Sequence, residues 1–345
     1  FYARRSNVSC LMIDVESFHL NKKDMQRIKH PLVGGVILFA RNYQNKNQLK
    51  QLVSQIRDVK KDILIGVDHE GGRVQRFKDG FTSLPPMAML GKMYDQDQQK
   101  AKEFASLIGW VIAKELGGCD IDFSFTPVLD VNYGASSVIG DRAFHEQVSP
   151  VIELANNLRQ GLEDGGMQAI GKHFPGHGFI KEDTHLEKGE DKRKFLDIKE
   201  NDLKVFISLI NNGMKGIMPS HIIYSYCDSL PAGLSRFWLQ DQLRDKLGFK
   251  GAIFSDDMSM KAAKFVKENI VERLLMALNA GCDMVLLCNS PKEVDYALTN
   301  IRWNIDTNSI ARLAAMKLDN TKNKIDIYKH HSVAEIQQKI ESMSN

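Results

Sequence analysis

Eight short apolar runs, rich in Val, Ile, Leu and Phe, recur along the chain between longer stretches with the periodicity of amphipathic helices. They are Val8–Asp14, Val33–Phe39, Ile63–Asp68, Ile121–Asp130, Met167–His173, Gly216–His221, Gly251–Asp256 and Asp283–Cys288. Most are apolar at consecutive positions, which is the pattern of strands buried on both faces of a parallel sheet. Between them Gln48–Lys60, Gln98–Leu116, Pro150–Glu163, Glu200–Asn211, Ser235–Lys246, Val271–Asn279 and Pro291–Arg302 read as helices. This alternation predicts an α/β chain: a (β/α)8 TIM-type barrel over residues 1–305 as the catalytic unit of a single domain. A C-terminal helical extension over 306–345, containing Ile310–Leu318 and Val333–Ile340, is expected to pack on the barrel.

Composition removes several classes. An apolar fraction of 43% is too high for a disordered or fibrous chain, and no apolar run is long enough to cross a bilayer. The net charge of +3 is spread along the sequence without a basic stripe, so neither nucleic acid nor membrane is expected as a partner. Five cysteines without a CxxC pair point to neither a disulfide framework nor a zinc site, and they suit a reducing compartment. The opening FYARRSNVSC lacks the zones of a signal peptide, so a cytoplasmic location is expected. It does not start with Met, which leaves room for residues upstream of Phe1.

In a parallel barrel the site lies at the C-terminal rim, so the strand ends should carry chemistry. They do: Asp14, Arg41, Asp68-His69-Glu70, Asp130, Lys172-His173, Ser220-His221 and Ser255-Asp256-Asp257 end or follow seven of the runs. Each of these taken singly also suits a helix cap or a buried ion pair. The densest segment, Gly171–Gly178, places two histidines around a Gly/Pro turn. Asp183 and His185 follow, two residues apart, a spacing that lets a carboxylate orient an imidazole for acid/base work. The charged stretch from Glu187 to Lys194 reads as a solvated, mobile loop. Of the consecutive Asp256 and Asp257, one suits a nucleophile at a sugar anomeric carbon and the other a structural role; N-capping of the next helix is the rival for either. In Asp68–Arg76, mixed acids and bases around paired glycines suit a polyhydroxyl ligand, and the segment lacks the glycine patterns of nucleotide sites.

Five of these segments together resemble family 3 glycoside hydrolases, specifically the compact bacterial β-N-acetylhexosaminidases. They are VDHEGGRVQRF (Val67–Phe77), DFSFTPVLDV (Asp122–Val131), VIGDRAFH (Val138–His145), KHFPGHG with its DTH sequel (Lys172–His185) and IFSDDMSM (Ile253–Met260). They occur in family order across about two hundred residues. The resemblance implies a retaining mechanism with Asp256 as nucleophile, His185 as acid/base and Asp183 as the carboxylate that orients it. It assigns sugar binding to Asp68, Arg76, Arg142, Lys172 and His173, and it implies neither a cofactor nor a metal. The implied role is removal of N-acetylglucosamine from anhydro-muropeptides during peptidoglycan recycling, by a monomer whose partner is a small sugar or muropeptide. This chain departs from the family at His69, where glutamine is common, and at Met258, where leucine is common.

The loop after strand five must close over the sugar, and Gly176 and Gly178 are expected to lend it mobility. An imidazolium at position 185 also avoids the repulsion that a glutamate would meet from an anionic aglycone. Alternatives are a β-glucosidase-like member of the same family and a catalytically silent sugar-binding barrel. A metal-dependent amidohydrolase would need an H-x-H after the first strand, where this chain has Asp14-Val15-Glu16.

Overall fold

The computed structural model describes residues 9–181, 189–322 and 333–342. Eight strands form one parallel sheet: β1 (Leu11–Asp14), β2 (Val33–Leu38), β3 (Leu64–Val67), β4 (Phe123–Ser124), β5 (Ile170–Phe174), β6 (Gly216–Pro219), β7 (Ala252–Asp257) and β8 (Met284–Leu287). Each pairs with its sequence neighbours except β4 with β5, and β8 returns to pair with β1. Strand β2, VGGVIL, is buried at every position, as expected of a strand covered on both faces. The chain folds as a (β/α)8 barrel.

The seam between β4 and β5 differs from the expected single run Ile121–Asp130. Only Phe123–Ser124 remains in the regular ladder. Pro127 has no N–H to donate, so the ladder cannot continue through it. The seam closes instead through irregular bonds, in which Ile170 N donates to Thr126 O (2.8 Å), Lys172 N to Pro127 O (3.1 Å) and Leu129 N to Lys172 O (2.6 Å). Asp130 therefore sits directly beside the end of β5.

The helices are α1 (Lys22–Lys29), α2 (Lys46–Val59), α3 (Ala88–Gln96), α4 (Gln98–Gly117), α5 (Val148–Asp164), α6 (Phe195–Glu200), α7 (Asp202–Asn211), α8 (Phe237–Lys246), α9 (Ile270–Ala280), α10 (Pro291–Asn300), α11 (Thr307–Ala314) and α12 (Val333–Glu341). Helices α1 and α3 have no counterpart among the expected ones. The signal for α1 is polar: Asn21 accepts from Asp24 N, and Asp24 answers by accepting from Asn21 N. The expected helix Glu200–Asn211 is α7, and α6, which ends at Glu200 just before it, likewise has no counterpart. In the extension, Ser309 and Arg312 of α11 bond to Asp283 just before β8, and Gln337 of α12 reaches Glu115 of α4.

The long helices α4 and α5 cross at glycines. A Cβ on Gly109 would lie 2.1 Å from Leu158 O, and one on Gly161 would lie 2.0 Å from Ser106 O. Alanine normally favours a helix over glycine by about 1 kcal/mol, so a loss on substitution would report the contact itself. Gly161→Ala is expected to cost about 2–3 kcal/mol, because the helix axes must separate. An unchanged urea midpoint would mean that the pair yields freely.

Candidate active site

Strand β3 delivers Asp68 to the rim, and the chain then turns through a small hairpin, His69–Gly71 against Val74–Gln75. Gly71 and Gly72 occupy positive φ (+125° and +53°), which bends the hairpin back over the barrel mouth. This buries Glu70 between two cations from different elements. Arg142, ending the single turn Gly140–Arg142, grips it with both arms of its guanidinium: Nε donates to Oε2 at 2.9 Å and Nη2 to Oε1 at 2.8 Å. Lys172 Nζ from β5 pairs with Glu70 Oε1 and donates to Asp68 Oδ1 at 3.0 Å. Arg76 Nη2 approaches Asp68 Oδ2 at 3.4 Å, and its buried Nε has no hydrogen-bond partner among the described residues.

Burial alone would raise the pKa of both carboxylates. In Glu70 it is outweighed by Arg142 and Lys172, which hold the group far below the usual carboxylate range. In Asp68, Lys172 and Arg76 outweigh burial and the like charge of Glu70. Arg142 is held charged by Glu70 against its own burial.

Near the end of strand β5, Lys172 and His173 are joined by a cis peptide. His173 Nδ1 lies 2.7 Å from Asp130 Oδ2, and the His177 ring stands edge-on to His173 with centroids 5.5 Å apart. At the end of β7 the two consecutive carboxylates separate in role. Asp257 accepts from Ser259 N (2.9 Å), Ser259 Oγ (2.6 Å) and Cys288 N (3.0 Å). Burial pushes the Asp257 carboxyl above the usual range, and Asp256 beside it adds in the same direction. Asp256 accepts from Asp257 N at 2.7 Å and lines the cavity. Neither caps the following short helical turn, which begins after Met260 without a side-chain cap.

These groups enclose a cavity of about 470 Å³. Its charged lining is Asp68, Glu70, Asp256 and Asp257 against Arg73, Arg76, Arg142 and Lys172, so acids and bases balance. Phe39, Phe125, Met218, Met260 and Leu286 supply apolar surface between them. A near-neutral basin with many donors and acceptors suits an uncharged polyhydroxyl ligand better than an ion.

Of the site residues expected from the sequence, Asp68, Arg76, Arg142, Lys172, His173 and Asp256 all line this one cavity. Asp183 and His185 lie outside the described residues. Several polar strand ends are used elsewhere. Asp14 pairs with Arg41 beside the cavity, and His221 Nε2 lies 2.9 Å from Asp257 O, bracing the end of β7. Glu70 and Asp130 are expected only as polar strand ends and His177 only as part of the Gly171–Gly178 turn, none with a role of its own. For Glu70, a signal was available: an acid with no apolar excuse inside a segment otherwise committed to a tight turn.

Gly176 and Gly178, which the sequence reading credits with mobility, also meet a need for space: a Cβ on Gly176 would lie 2.4 Å from Asp202 Oδ1, and one on Gly178 would lie 1.8 Å from Val131 O. One expectation is corrected. The stretch from Glu187 to Lys194 was expected as a solvated loop. Glu187 and Lys188 fall outside the described residues, but Asp191 is buried, and Arg193 binds it while reaching Asp202 at 2.7 Å and covering the Phe179 ring. Desolvation drives this pairing, since burying Asp191 without a cation would be costly.

His69, the departure beside Asp68, is buried against Phe77 and Phe81 and lines no part of the cavity. Burial, helped by Arg76, lowers its pKa to about 3. Between pH 6.5 and that value the unfolded chain binds a proton that the folded chain refuses, so stability falls as pH falls. His69→Gln should remove roughly 3 kcal/mol of the stability difference between pH 7 and pH 4. Denaturant titrations at both pH values would test this, and identical pH dependence in variant and parent would contradict it.

A parallel barrel with a charge-balanced basin and a carboxylate at the end of β7 is an arrangement that suits a sugar-processing enzyme of the glycosidase type. The family model described as Glycosyl hydrolase family 3 N terminal domain matches residues 8–325. A Beta-hexosaminidase of Methylobacillus flagellatus is 53% identical over 307 residues, covering 89% of this chain and 88% of that protein. One of Nitrosospira multiformis is 48% identical over 308 residues, with 89% and 88% covered. The crystal structure of NagZ from Neisseria gonorrhoeae in complex with N-trifluoroacetyl-D-glucosamine superposes with a TM-score of 0.91 at 40% identity, covering 98% of each chain. The chain belongs to glycosyl hydrolase family 3 and is a glycoside hydrolase of the β-N-acetylhexosaminidase class. Among the described residues no helix is long and apolar enough to cross a membrane.

Proposed function

We propose that the enzyme is a retaining exo-β-N-acetylglucosaminidase that removes terminal N-acetylglucosamine from β-linked substrates, and that anhydro-muropeptides of peptidoglycan recycling are its natural substrates. Asp256 attacks the anomeric carbon while His185, oriented by Asp183, gives its proton to the departing glycosidic oxygen. Water then displaces Asp256 from the glycosyl-enzyme and passes a proton to His185, which restores both groups. Asp68, Arg76, Arg142, Lys172 and His173 hold the hydroxyls of the sugar. The enzyme works as a cytoplasmic monomer without metal or cofactor.

The observation that carries this reading is the separation of the two consecutive carboxylates at the end of β7. Both line the basin shared with the five sugar-binding candidates, but Asp257 commits its two oxygens to hydrogen bonds from Ser259 and Cys288. A 2-acylamino sugar is supported by the ligand named for the Neisseria gonorrhoeae structure.

The test is hydrolysis of a chromogenic N-acetyl-β-glucosaminide and of the matching glucoside, each with and without chelator, with the first-formed anomer read by proton NMR. The expected outcome is chelator-insensitive release from the N-acetyl substrate with the β anomer appearing first. An initial α anomer, preference for the glucoside, or no turnover would overturn it. Product analysis on a muropeptide mixture tests the natural substrate.

A further inference from the structure

Asp130 is a fully buried carboxylate at the irregular seam that closes the barrel, and the mechanism above makes no use of it. Among the described residues, its hydrogen bonds come from the segment carrying His173 and His177. Oδ1 accepts from His173 N at 3.1 Å and from His177 N at 2.7 Å, and Oδ2 lies 2.7 Å from His173 Nδ1. An ionised carboxylate only accepts hydrogen bonds, so a ring hydrogen sits on Nδ1, and in the neutral ring Nε2 is then the nitrogen able to accept one. Burial would favour the neutral acid, but His173 and the neighbouring His177 keep Asp130 ionised below the usual range. His173 meanwhile lines the 470 Å³ cavity.

We propose that Asp130 is a positioning residue for sugar binding: it fixes His173 as the Nδ1–H tautomer, so that Nε2 accepts a hydrogen bond from a sugar hydroxyl, and it anchors the turn to His177. This inference rests on the reading of His173 as a sugar ligand. The seam supplies the rigidity. Leu129 N is bonded to Lys172 O, so Asp130 and His173 are held by adjacent backbone ties and the tautomer is set before ligand arrives.

Asp130→Asn is the informative change. Its amide oxygen can still accept from the two backbone N–H groups, while its NH2 can only donate to Nδ1, which moves the ring hydrogen to Nε2. With a chromogenic N-acetyl-β-glucosaminide, the expected result is a KM at least about tenfold higher, with kcat changed less. In 15N-histidine spectra one imidazole should switch from Nδ1–H to Nε2–H. In a His173→Ala background, Asp130→Asn should leave KM within about twofold, because the two residues act as one unit. A purely structural Asp130 would add its cost in both backgrounds and would leave the tautomer unchanged.

An unaltered KM in folded Asp130→Asn, additive effects in the cycle, or a parent spectrum with His173 as Nε2–H would each overturn the proposal. If Asp130→Asn does not fold, the parent spectrum decides alone. A His173→Ala variant with unchanged KM would sink the reading of His173 as a sugar ligand, a failure separable from that of the tautomer assignment.

Discussion

Asp256→Asn is expected to lower kcat by at least about a thousandfold while leaving the fold intact, because an amide cannot form the glycosyl ester. Asp257→Asn is the control. Its oxygen can still accept from Ser259 and Cys288, so turnover should stay within about tenfold of the parent while some stability is lost. Steady-state kinetics on a chromogenic N-acetyl-β-glucosaminide would separate the two. Equal losses at both positions, or the larger loss at Asp257, would reverse the assignment.

Removing Glu70 should have the largest effect on the folded state. Glu70→Gln leaves the buried Arg142 without its counter-charge and Lys172 with Asp68 alone, at a cost of about 3–5 kcal/mol. It should also lower kcat/KM by about a hundredfold or more, since both cations face the sugar basin. The sign of the pH dependence follows from the depressed pKa of Glu70. Its contribution is present above the ordinary glutamate pKa of 4.5 and is lost as pH falls below it, so parent and variant should converge in stability only in acid. Adding Lys172→Met to Glu70→Gln should recover part of the stability and none of the activity. Stability in Glu70→Gln equal to the parent at pH 7 would show that solvent reaches the cluster.

The barrel was legible because its strands are buried on both faces and therefore read as unbroken apolar runs; β2 and β8 show this in VGGVIL and MVLL. Strand β4 reads longer in the sequence than it is because burial continues through Val128 and Leu129 after the ladder has lost its donor at Pro127. Helix α1 went unseen because its face holds few apolar residues and its definition lies in the Asn21/Asp24 cap.

Sequence by itself determined the order of strands and helices and the residue types gathered at the rim, because periodicity and strand-end chemistry are local properties of the chain. Only the tertiary structure decided which of those residues share a basin. Glu70 meets Arg142 across 72 positions and Lys172 across 102, Asp130 meets His173 across 43, and Asp257 is separated in role from Asp256 by a bond from Cys288. Such partnerships are set by barrel closure and by the requirement that each charge removed from water find a counter-charge or a donor, and neither condition is written in local spacing.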